Sequence, residues 1–266
     1  MKLKNLTPFP FGTKVTSRQP PRPELTLVLR ACYLLVPGKP LTLPEGPPLL
    51  AQGSMTSDTY LEDDAERAGE CLYPGDFADW KPRAEVMLRG TCHTPAGKPM
   101  PECPVRFSVG AFSKLLRVVG RRFWSDDMAG AAMSEAAPFT RMPVDYAHAF
   151  GGSGYLANPV GMGLAGRELP NVEHAGVVIR RRRDDPGPAG FGPINPAWPQ
   201  RAPKVGKEYG ARWKKERSPY YATDFDWTYF NAAPPEQQVP YLRGDEPYSV
   251  SGVRPGGATL HALPLP

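Results

Sequence analysis

Two carboxylates one residue apart, Asp224 and Asp226, are the pair in this sequence best placed for acid–base or metal chemistry. On an extended segment both side chains lie on one face, where two carboxylates serve as a hydrolytic pair or as ligands of a hard cation. They can equally cap turns or pair with Lys214, Lys215 or Arg217. We favour this second, structural interpretation.

The segment 161–166 has the G-x-G-x-x-G spacing of a dinucleotide-binding loop. Such a loop works only when a strand enters it and a helix leaves it, because the helix N-terminus must meet the pyrophosphate. Pro159 precedes the segment, and Pro170 would interrupt the helix within its first turns. We therefore expect an ordinary loop here and no nucleotide cofactor.

Serine and cysteine chemistry is also unsupported. Ser153 follows a glycine pair, but a nucleophile elbow requires glycine two residues after the serine, and Tyr155 stands there. Cys92, His93 and Cys103 include three potential zinc ligands, yet adjacent residues of a strand point to opposite faces and no C-x-x-C spacing is present. The sequence therefore predicts no catalytic residue, no cofactor and no metal site.

Aromatic and basic residues alternate through residues 209–230, here called the aromatic segment. Tyr, Trp and Arg predominate at protein-binding surfaces, and aromatic rings between cations also stack on single-stranded nucleic acid. The same rings can form a core. We expect no nucleic-acid partner. If the segment has a function beyond packing, we expect it to bind a protein partner. Its candidate binding residues are Trp213, Lys214, Arg217, Tyr220, Tyr221, Trp227 and Tyr229.

Composition limits the class of protein. The chain has 266 residues with 27 Gly and 34 Pro, a proline content that argues against a helical bundle. Its net charge of +5 is mild and points neither to nucleic acid nor to a membrane. Pro8 and Pro10 break the start before an apolar signal region can form, and no apolar run is long enough to span a bilayer. We expect a cytoplasmic protein with reduced cysteines.

Strand patterns fill the first half. Alternating apolar residues from Leu25 to Leu35 predict one strand, and residues 86–92 and 105–109, joined by a turn at 94–97, predict a hairpin. Residues 115–119 predict a further strand. Near the end, a short helix is expected at 208–217 and strands at 248–253 and 258–263.

The middle of the chain, 125–206, loses this periodicity and is rich in Gly and Pro, but apolar anchors recur in it. We predict ordered loops in which Phe150 and Phe191 are buried. The fold class is mostly β, an antiparallel sandwich-like core with long ordered loops and one or two short helices. We expect a single domain, 1–266, with a sheet lobe at 1–124 and a loop-rich lobe at 125–266. The loop positions assigned a structural role are Phe150, Gly151, Gly152, Asn158, Pro159, Phe191, Gly192, Pro193, Asp224, Phe225 and Asp226.

Several of these blocks, in their order and spacing, resemble a known family. They begin at Asn5-Leu-Thr-Pro-Phe9, and the most specific are Tyr146 to Gly152, Asn158-Pro-Val-Gly161, Leu169-Pro-Asn171 and Pro188 to Pro193, followed by Asp224-Phe-Asp226. The chain resembles the domain-of-unknown-function family of type VI secretion effector adaptors and chaperones associated with PAAR-like spike-tip proteins. The arginine run at 180–183 is not part of the family pattern.

The resemblance implies a non-enzymatic adaptor of a Gram-negative bacterium. Such an adaptor would bind a secreted effector or its PAAR-like domain and assist loading onto the VgrG spike. The alternative is a carbohydrate-active or carbohydrate-binding β-sandwich protein, with aromatic rings as sugar platforms and Asp224 or Asp226 as the polar or catalytic group.

Overall fold

The computed structural model describes residues 4–34, 36, 38–43, 58–60, 69–127 and 130–261. These residues belong to two compact units, each described here by itself. Unit 1 comprises Met1–Tyr60, Cys71–Lys81 and Lys204–Phe230, and unit 2 comprises Leu61–Glu70, Pro82–Pro203 and Asn231–Pro266.

Strands dominate the described residues, which confirms the mostly β fold class. In chain order they are β1 (Phe11–Thr16), β2 (Glu24–Leu29), β3 (Thr59–Tyr60), β4 (Cys71–Tyr73), β5 (Ala84–His93), β6 (Glu102–Val109), β7 (Phe112–Val119), β8 (Trp124–Asp127), β9 (Gly130–Met133), β10 (Arg141–Pro143), β11 (Phe150–Gly151), β12 (Met162–Gly163), β13 (Val172–His174), β14 (Gln238–Val239), β15 (Tyr248–Ser251) and β16 (Val253–His261). Short 3₁₀ turns lie at Pro95–Gly97, Tyr146–His148, Ala202–Val205, Trp227–Phe230 and Pro235–Gln237.

One four-stranded antiparallel sheet of unit 2 has the order β13-β7-β6-β15. Its centre is the β6–β7 hairpin, in which Val109 pairs with Phe112 across a two-residue turn. Gly110 in this turn has φ of 56°, a backbone conformation that glycine adopts without a steric penalty. Every second residue of β6 from Cys103 to Val109 is buried, so one face of the sheet forms core.

The second sheet of unit 2 is built around β5. Glu85 pairs with both Gln238 of β14 and His261 of β16, while Cys92 pairs with residues of β10 and β16, so both edges of β5 are occupied. The predicted hairpin between 86–92 and 105–109 is therefore wrong. The turn at 94–97 does exist, but it carries the chain from one sheet to the other, where β6 pairs with β7 and β15.

The two sheets share one apolar core, which confirms the sandwich-like arrangement. Val86 and Leu88 of β5 and Val105 and Phe107 of β6 are in the same buried cluster. The opposite face of β5 is also covered, since Met87 packs with Ala232 and Ala233. Burial on both faces explains why residues 84–88 form a continuous buried run rather than an alternating one.

Buried phenylalanines anchor the glycine-rich loops of unit 2, as predicted. Phe150 and Phe191 are both buried, and the ring of Phe191 meets that of Phe107 edge-on at 5.9 Å. Asn158 is fully buried and donates from Nδ2 to the carbonyl oxygens of Tyr146 and Phe150, at 2.8 and 3.0 Å. Several side chains thus hold loops that have little regular structure of their own.

Unit 1 contains the antiparallel pairs β1–β2 and β3–β4. Phe11 pairs with Leu29 and Thr16 with Glu24, so β1 and β2 match along their whole length. In an alternating strand one expects the apolar side chains to face the core, but Leu25, Leu27 and Leu29 of the first predicted strand are exposed. Leu35, in the same predicted run, lies outside the described residues.

A short helix, α1 (Ala211–Glu216), lies inside the predicted stretch 208–217. The rings of Tyr209 and Trp213 meet edge-on at 4.9 Å. Among the residues that the structure describes, no helix is long and apolar enough to cross a membrane.

Candidate functional site

The aromatic segment packs largely against itself within unit 1. Phe225 is buried, and ring centroids of Tyr221 and Trp227 lie 4.5 and 5.0 Å from it. Trp227 also meets Trp80 edge-on at 5.8 Å and stacks on Phe230 at 6.3 Å. These rings form a small core, in which Tyr221, Trp227 and Phe230 remain partly exposed.

A buried carboxylate holds Tyr221 in this cluster. Its hydroxyl donates to Asp79 Oδ2 at 2.7 Å, and Lys14 Nζ lies 2.6 Å from Asp79 Oδ1. Burial raises the pKa of Tyr221, and the hydrogen bond to Asp79 raises the pKa further, so the phenol stays protonated. Tyr221 therefore acts as a fixed hydrogen-bond donor.

The first half of the aromatic segment is more exposed. Trp213 Nε1 donates to the carbonyl oxygen of Tyr220 at 2.7 Å, which ties α1 to the following turn. Arg217 Nε donates to the carbonyl oxygen of Tyr221. Lys214 and Lys215 are exposed on α1, and Tyr209, just before the helix, is also exposed. Partly buried rings beside exposed cations have the composition of an interface rim.

Asp224 and Asp226 each stabilise a turn. Asp224 accepts hydrogen bonds from the backbone of Lys207 at 2.6 Å and Glu208 at 3.3 Å. Asp226 Oδ1 accepts from the backbone and the hydroxyl of Thr228, at 2.9 and 2.8 Å. Both carboxylates are thus used as turn caps, which is the structural interpretation that the sequence favoured.

The remaining candidate positions are distributed between the units. Tyr220 and Tyr229 lie in unit 1 with the rest of the aromatic segment and are partly exposed. The loop positions from Phe150 to Pro193 lie in unit 2, where Gly151, Asn158 and Pro193 are buried and Gly152, Pro159 and Gly192 are partly buried.

The sequence analysis did not identify Arg18 of unit 1 as part of the aromatic cluster. The Arg18 guanidinium lies over the rings of Trp80 and Trp227, 5.1 and 5.9 Å from their centroids, and pairs with Glu24 at 2.9 Å. A guanidinium over an indole face is attracted by the ring quadrupole. Arg18 and Trp80 lie far from the aromatic segment in the chain, so no local pattern indicated the contact.

A second cation that the sequence analysis missed is Lys114 of unit 2. Its buried ammonium donates to the carbonyl oxygen of Gly190, to Glu236 Oε1 at 2.6 Å and to Gln237 Oε1 at 2.8 Å. Burial lowers the pKa of Lys114 although Glu236 opposes the shift. The sequence could have indicated that Lys114 is buried, because it lies on the same face of β7 as the buried Phe112, Leu116 and Val118.

The four cysteines, all within the described residues, form no disulfide. Cys71, Cys92 and Cys103 are buried, and Cys32 is partly exposed. Burial, together with the neighbouring Cys103 thiol, raises the pKa of Cys92 to about 12, so this thiol is not a reactive nucleophile. No group of three His, Cys, Asp or Glu side chains suited to a metal ion occurs in the part of the chain that the structure describes.

Comparison with known proteins identifies a family but no function. Searches of curated proteins and of solved structures found no match. A family model with the description "Uncharacterized protein conserved in bacteria (DUF2169)" matches residues 21–266, which include every strand from β2 to β16. Because the match covers most of the chain, the protein belongs to the DUF2169 family.

Proposed function

We propose that the protein is a non-enzymatic adaptor of type VI secretion that binds an effector, or its PAAR-like domain, and assists loading onto the VgrG spike. Binding energy alone performs this function. An adaptor covers apolar surface of its cargo and raises the cargo's effective concentration at the spike.

The observation that carries the proposal is the arrangement around α1. Tyr209 is exposed, and the ring of Trp213 lies 4.9 Å from it. Lys214 and Lys215 are exposed beside them. Large rings anchored by a hydrogen bond and bordered by cations are typical of a protein-binding surface that favours an acidic partner. The motif blocks that resemble effector adaptors support the same function.

The carbohydrate alternative is less well supported. A hydrolytic pair needs two carboxylates directed at a sugar, whereas Asp224 accepts a backbone hydrogen bond from Lys207 and Asp226 accepts one from Thr228. Reducing-end detection on a polysaccharide panel tests this alternative. Turnover that disappears in Asp224→Asn would replace the adaptor proposal with a hydrolase.

Co-purification tests the adaptor proposal directly. The tagged protein is expressed together with a PAAR-like protein or effector encoded beside it, and the complex is isolated and measured. We expect a stable complex that the double variant Lys214→Glu/Lys215→Glu weakens about fivefold, since rim charges mainly alter association. Lys98→Glu, which reverses an exposed charge in unit 2, is the matched control and should bind like the wild type.

If the complex forms but Lys214→Glu/Lys215→Glu does not weaken it, the adaptor function stands and the cargo binds to a surface other than α1. Absence of any complex with the neighbouring PAAR-like or effector proteins would contradict the function itself.

A further inference from the structure

The β1–β2 hairpin of unit 1 exposes its apolar face. Val15 pairs with Leu25, so the two side chains lie on one face, and Leu27 and Leu29 continue it. The exposed fractions are 68% for Val15, 45% for Leu25, 58% for Leu27 and 52% for Leu29. We call these four side chains the outward face. It extends roughly 13 Å along β2, at about 3.3 Å per residue.

The opposite face of the hairpin carries Lys14 and Thr16 and is fixed to other parts of unit 1 by ion pairs. Lys14 Nζ pairs with Asp79, whose side chain is only 5% exposed, and Arg30 Nε donates to Asp76 Oδ2 at 2.7 Å. Thr16 is buried on this face. Turning the hairpin over would bury the leucines but would leave the Asp79 carboxylate without its cation, which is costly. The ion pairs therefore hold the leucines outward.

Exposed leucines in this arrangement require an explanation. A sheet with one face in solvent normally places apolar side chains inward and polar ones outward. Here the pattern is reversed along four positions in two adjacent strands, so the exposed aliphatic groups are contiguous and not scattered. Contiguous apolar surface on an otherwise polar protein marks an interaction site.

The chain segment that carries the outward face is basic. Residues 4–43 contain a single acidic residue, Glu24, which pairs with Arg18 at 2.9 Å. Lys4, Arg22 and Lys39 are exposed and form no ion pair with any described residue. A ligand of this face would gain from apolar side chains that contact the leucines and from negative charge that faces the cations of the same chain segment.

We propose that the outward face is the docking site for an extended segment of the cargo protein in which apolar and acidic residues alternate. The inference rests on the proposed adaptor function, which makes the cargo a protein. An extended segment suits the geometry because β1 and β2 pair only with each other within the described chain, which leaves strand edges to which a further strand can add.

A membrane surface fits the same face less well. Peripheral binding to anionic lipid relies on clusters of roughly four to eight Lys or Arg residues, each contributing about 1 kcal/mol. Among the described residues of the segment 4–43, only three cations, Lys4, Arg22 and Lys39, form no ion pair with another described residue. A protein segment gains from the leucines and from the strand edges together, so the protein partner is favoured.

Designed peptides provide the probe. Fluorescence anisotropy is measured with an eight-residue labelled peptide of alternating leucine and glutamate, and with a matched peptide of leucine and lysine. We expect the glutamate peptide to bind at least about tenfold more tightly, because only its charges complement the face. Leu25→Ser/Leu27→Ser should weaken its binding by a further factor of about ten or more, since two apolar contacts are lost.

Matched variants separate docking from folding. Leu156→Ser removes a leucine that is 73% exposed in unit 2 and should leave peptide binding unchanged. Because Leu25 and Leu27 are exposed, their double variant should keep the wild-type melting temperature. Arg22→Glu should weaken the glutamate peptide and strengthen the lysine peptide.

Four results would overturn the inference: no measurable peptide binding, equal binding of both peptides, binding that survives Leu25→Ser/Leu27→Ser, or a fall in melting temperature that accounts for the loss. Vesicles of equal phosphatidylserine and phosphatidylcholine that bind through these leucines would assign the face to membranes instead. Self-association in sedimentation that the same variant abolishes would assign it to a second copy.

The test is independent of the adaptor function. If the neighbouring PAAR-like or effector protein co-purifies equally with the wild type and Leu25→Ser/Leu27→Ser, the adaptor function stands and this face is not its docking site. If the glutamate peptide binds the face but no such protein co-purifies, the docking chemistry stands and the type VI assignment fails.

Discussion

Lys114 is a cation on the otherwise apolar buried face of β7. Its three acceptors come from different parts of the chain: Gly190 in a loop, and Glu236 and Gln237 in the turn before β14. Gln237 in turn donates from Nε2 to the carbonyl oxygens of Val86 and Phe191, at 2.7 and 2.8 Å. A buried charge is tolerated only with such full hydrogen bonding, so Lys114 ties the loop and the turn to β7.

Lys114→Met keeps the long apolar stem and removes the ammonium. We expect a loss of about 1–3 kcal/mol in the free energy of unfolding, because buried acceptors lose their donor. Urea denaturation measures it. Glu236→Gln is the matched variant and should cost less, since the Glu236 side chain is half exposed and its charge is screened. A Lys114→Met protein as stable as the wild type would contradict the prediction. It would show that the methionine replaces the buried ion pair without loss of stability, as apolar residues do in some other proteins.

His174 makes the stability of unit 2 depend on pH. Its Nε2 lies 3.1 Å from the carbonyl oxygen of Pro188. Burial, and then the Lys114 ammonium, lower the pKa of His174 below its ordinary value of 6.5, although Glu236 opposes the shift. The unfolded chain therefore binds a proton more readily than the folded one.

The stability that neutral His174 contributes is complete above about pH 6.5 and is lost as the pH falls below it. The slope for one group cannot exceed about 1.4 kcal/mol per pH unit. Urea denaturation between pH 7 and pH 5 should show this loss, and His174→Gln should reduce the slope. His93, whose pKa is lowered by burial and by Arg254 and Arg141, acts with the same sign, so His93→Gln is measured in parallel. An identical slope in the wild type and His174→Gln would refute the assignment.

Two glycines of the loops in unit 2, Gly192 and Gly187, differ in how closely the surrounding residues pack against them. Gly192 has φ of 82°, and a Cβ there would lie 3.0 Å from Pro234 Cδ and 3.1 Å from Met87 Cγ. Gly187 has a similar φ of 69°, but a Cβ there would meet nothing within 4 Å. The two positions therefore share the backbone requirement and differ only in crowding.

Alanine at these two glycines separates backbone strain from packing. We expect Gly187→Ala to destabilise the protein by about 1 kcal/mol, the cost of an alanine at positive φ. Gly192→Ala should cost about 1–3 kcal/mol more, because Pro234 and Met87 must move. Thermal or urea unfolding of both variants gives the difference. Equal losses would show that the contacts of Gly192 relax freely and that crowding contributes nothing.

Local patterns identified most elements but not their partners. The apolar alternation in β5, β6 and β7 predicted strands near their observed positions, and the helix expected at 208–217 is observed as α1. Pairing was missed because the edges of β5 are taken by β14 and β16, more than a hundred residues later in the sequence. The alternating leucines of β2 indicated that the strand has an apolar and a polar face. Which face is buried depends on the ion pairs with Asp76 and Asp79, which lie far away in the sequence and which no local pattern indicates.

At the scale of the whole molecule, the ordered loops of unit 2 depend on several anchors together. Burying one phenylalanine contributes roughly 1.5–3 kcal/mol, enough to offset the backbone entropy of only one or two residues. Phe150, Phe191 and Asn158 are all buried within residues 146–193. We expect slow amide exchange at the buried anchors in the isolated protein. Fast exchange throughout 146–193 would mean that these loops order only on binding a partner.

The aromatic segment contains rings of two kinds, and substitution should distinguish them. Trp227 lies 4.9 Å from Tyr221, 5.0 Å from Phe225 and 5.8 Å from Trp80, so it is part of the core of unit 1. The sequence analysis names Trp227 as a candidate binding residue, and on that interpretation Trp227→Ala leaves the protein folded. These contacts favour the opposite, a loss of about 3 kcal/mol in stability. Tyr220 is partly exposed, and its hydroxyl donates to the carbonyl oxygen of Pro21 at 3.1 Å.

Tyr220→Ala should therefore weaken cargo co-purification by roughly 1–4 kcal/mol with little change in melting temperature, whereas Trp227→Ala should lower the melting temperature first. Tyr220→Phe is the matched control: it keeps the ring and removes only the hydroxyl, so binding that depends on ring contact survives it. Melting curves and pull-downs of the three variants are compared at one protein concentration. Normal co-purification by Tyr220→Ala would remove this ring from the interface and leave α1 and the outward face as the surfaces to which cargo binds.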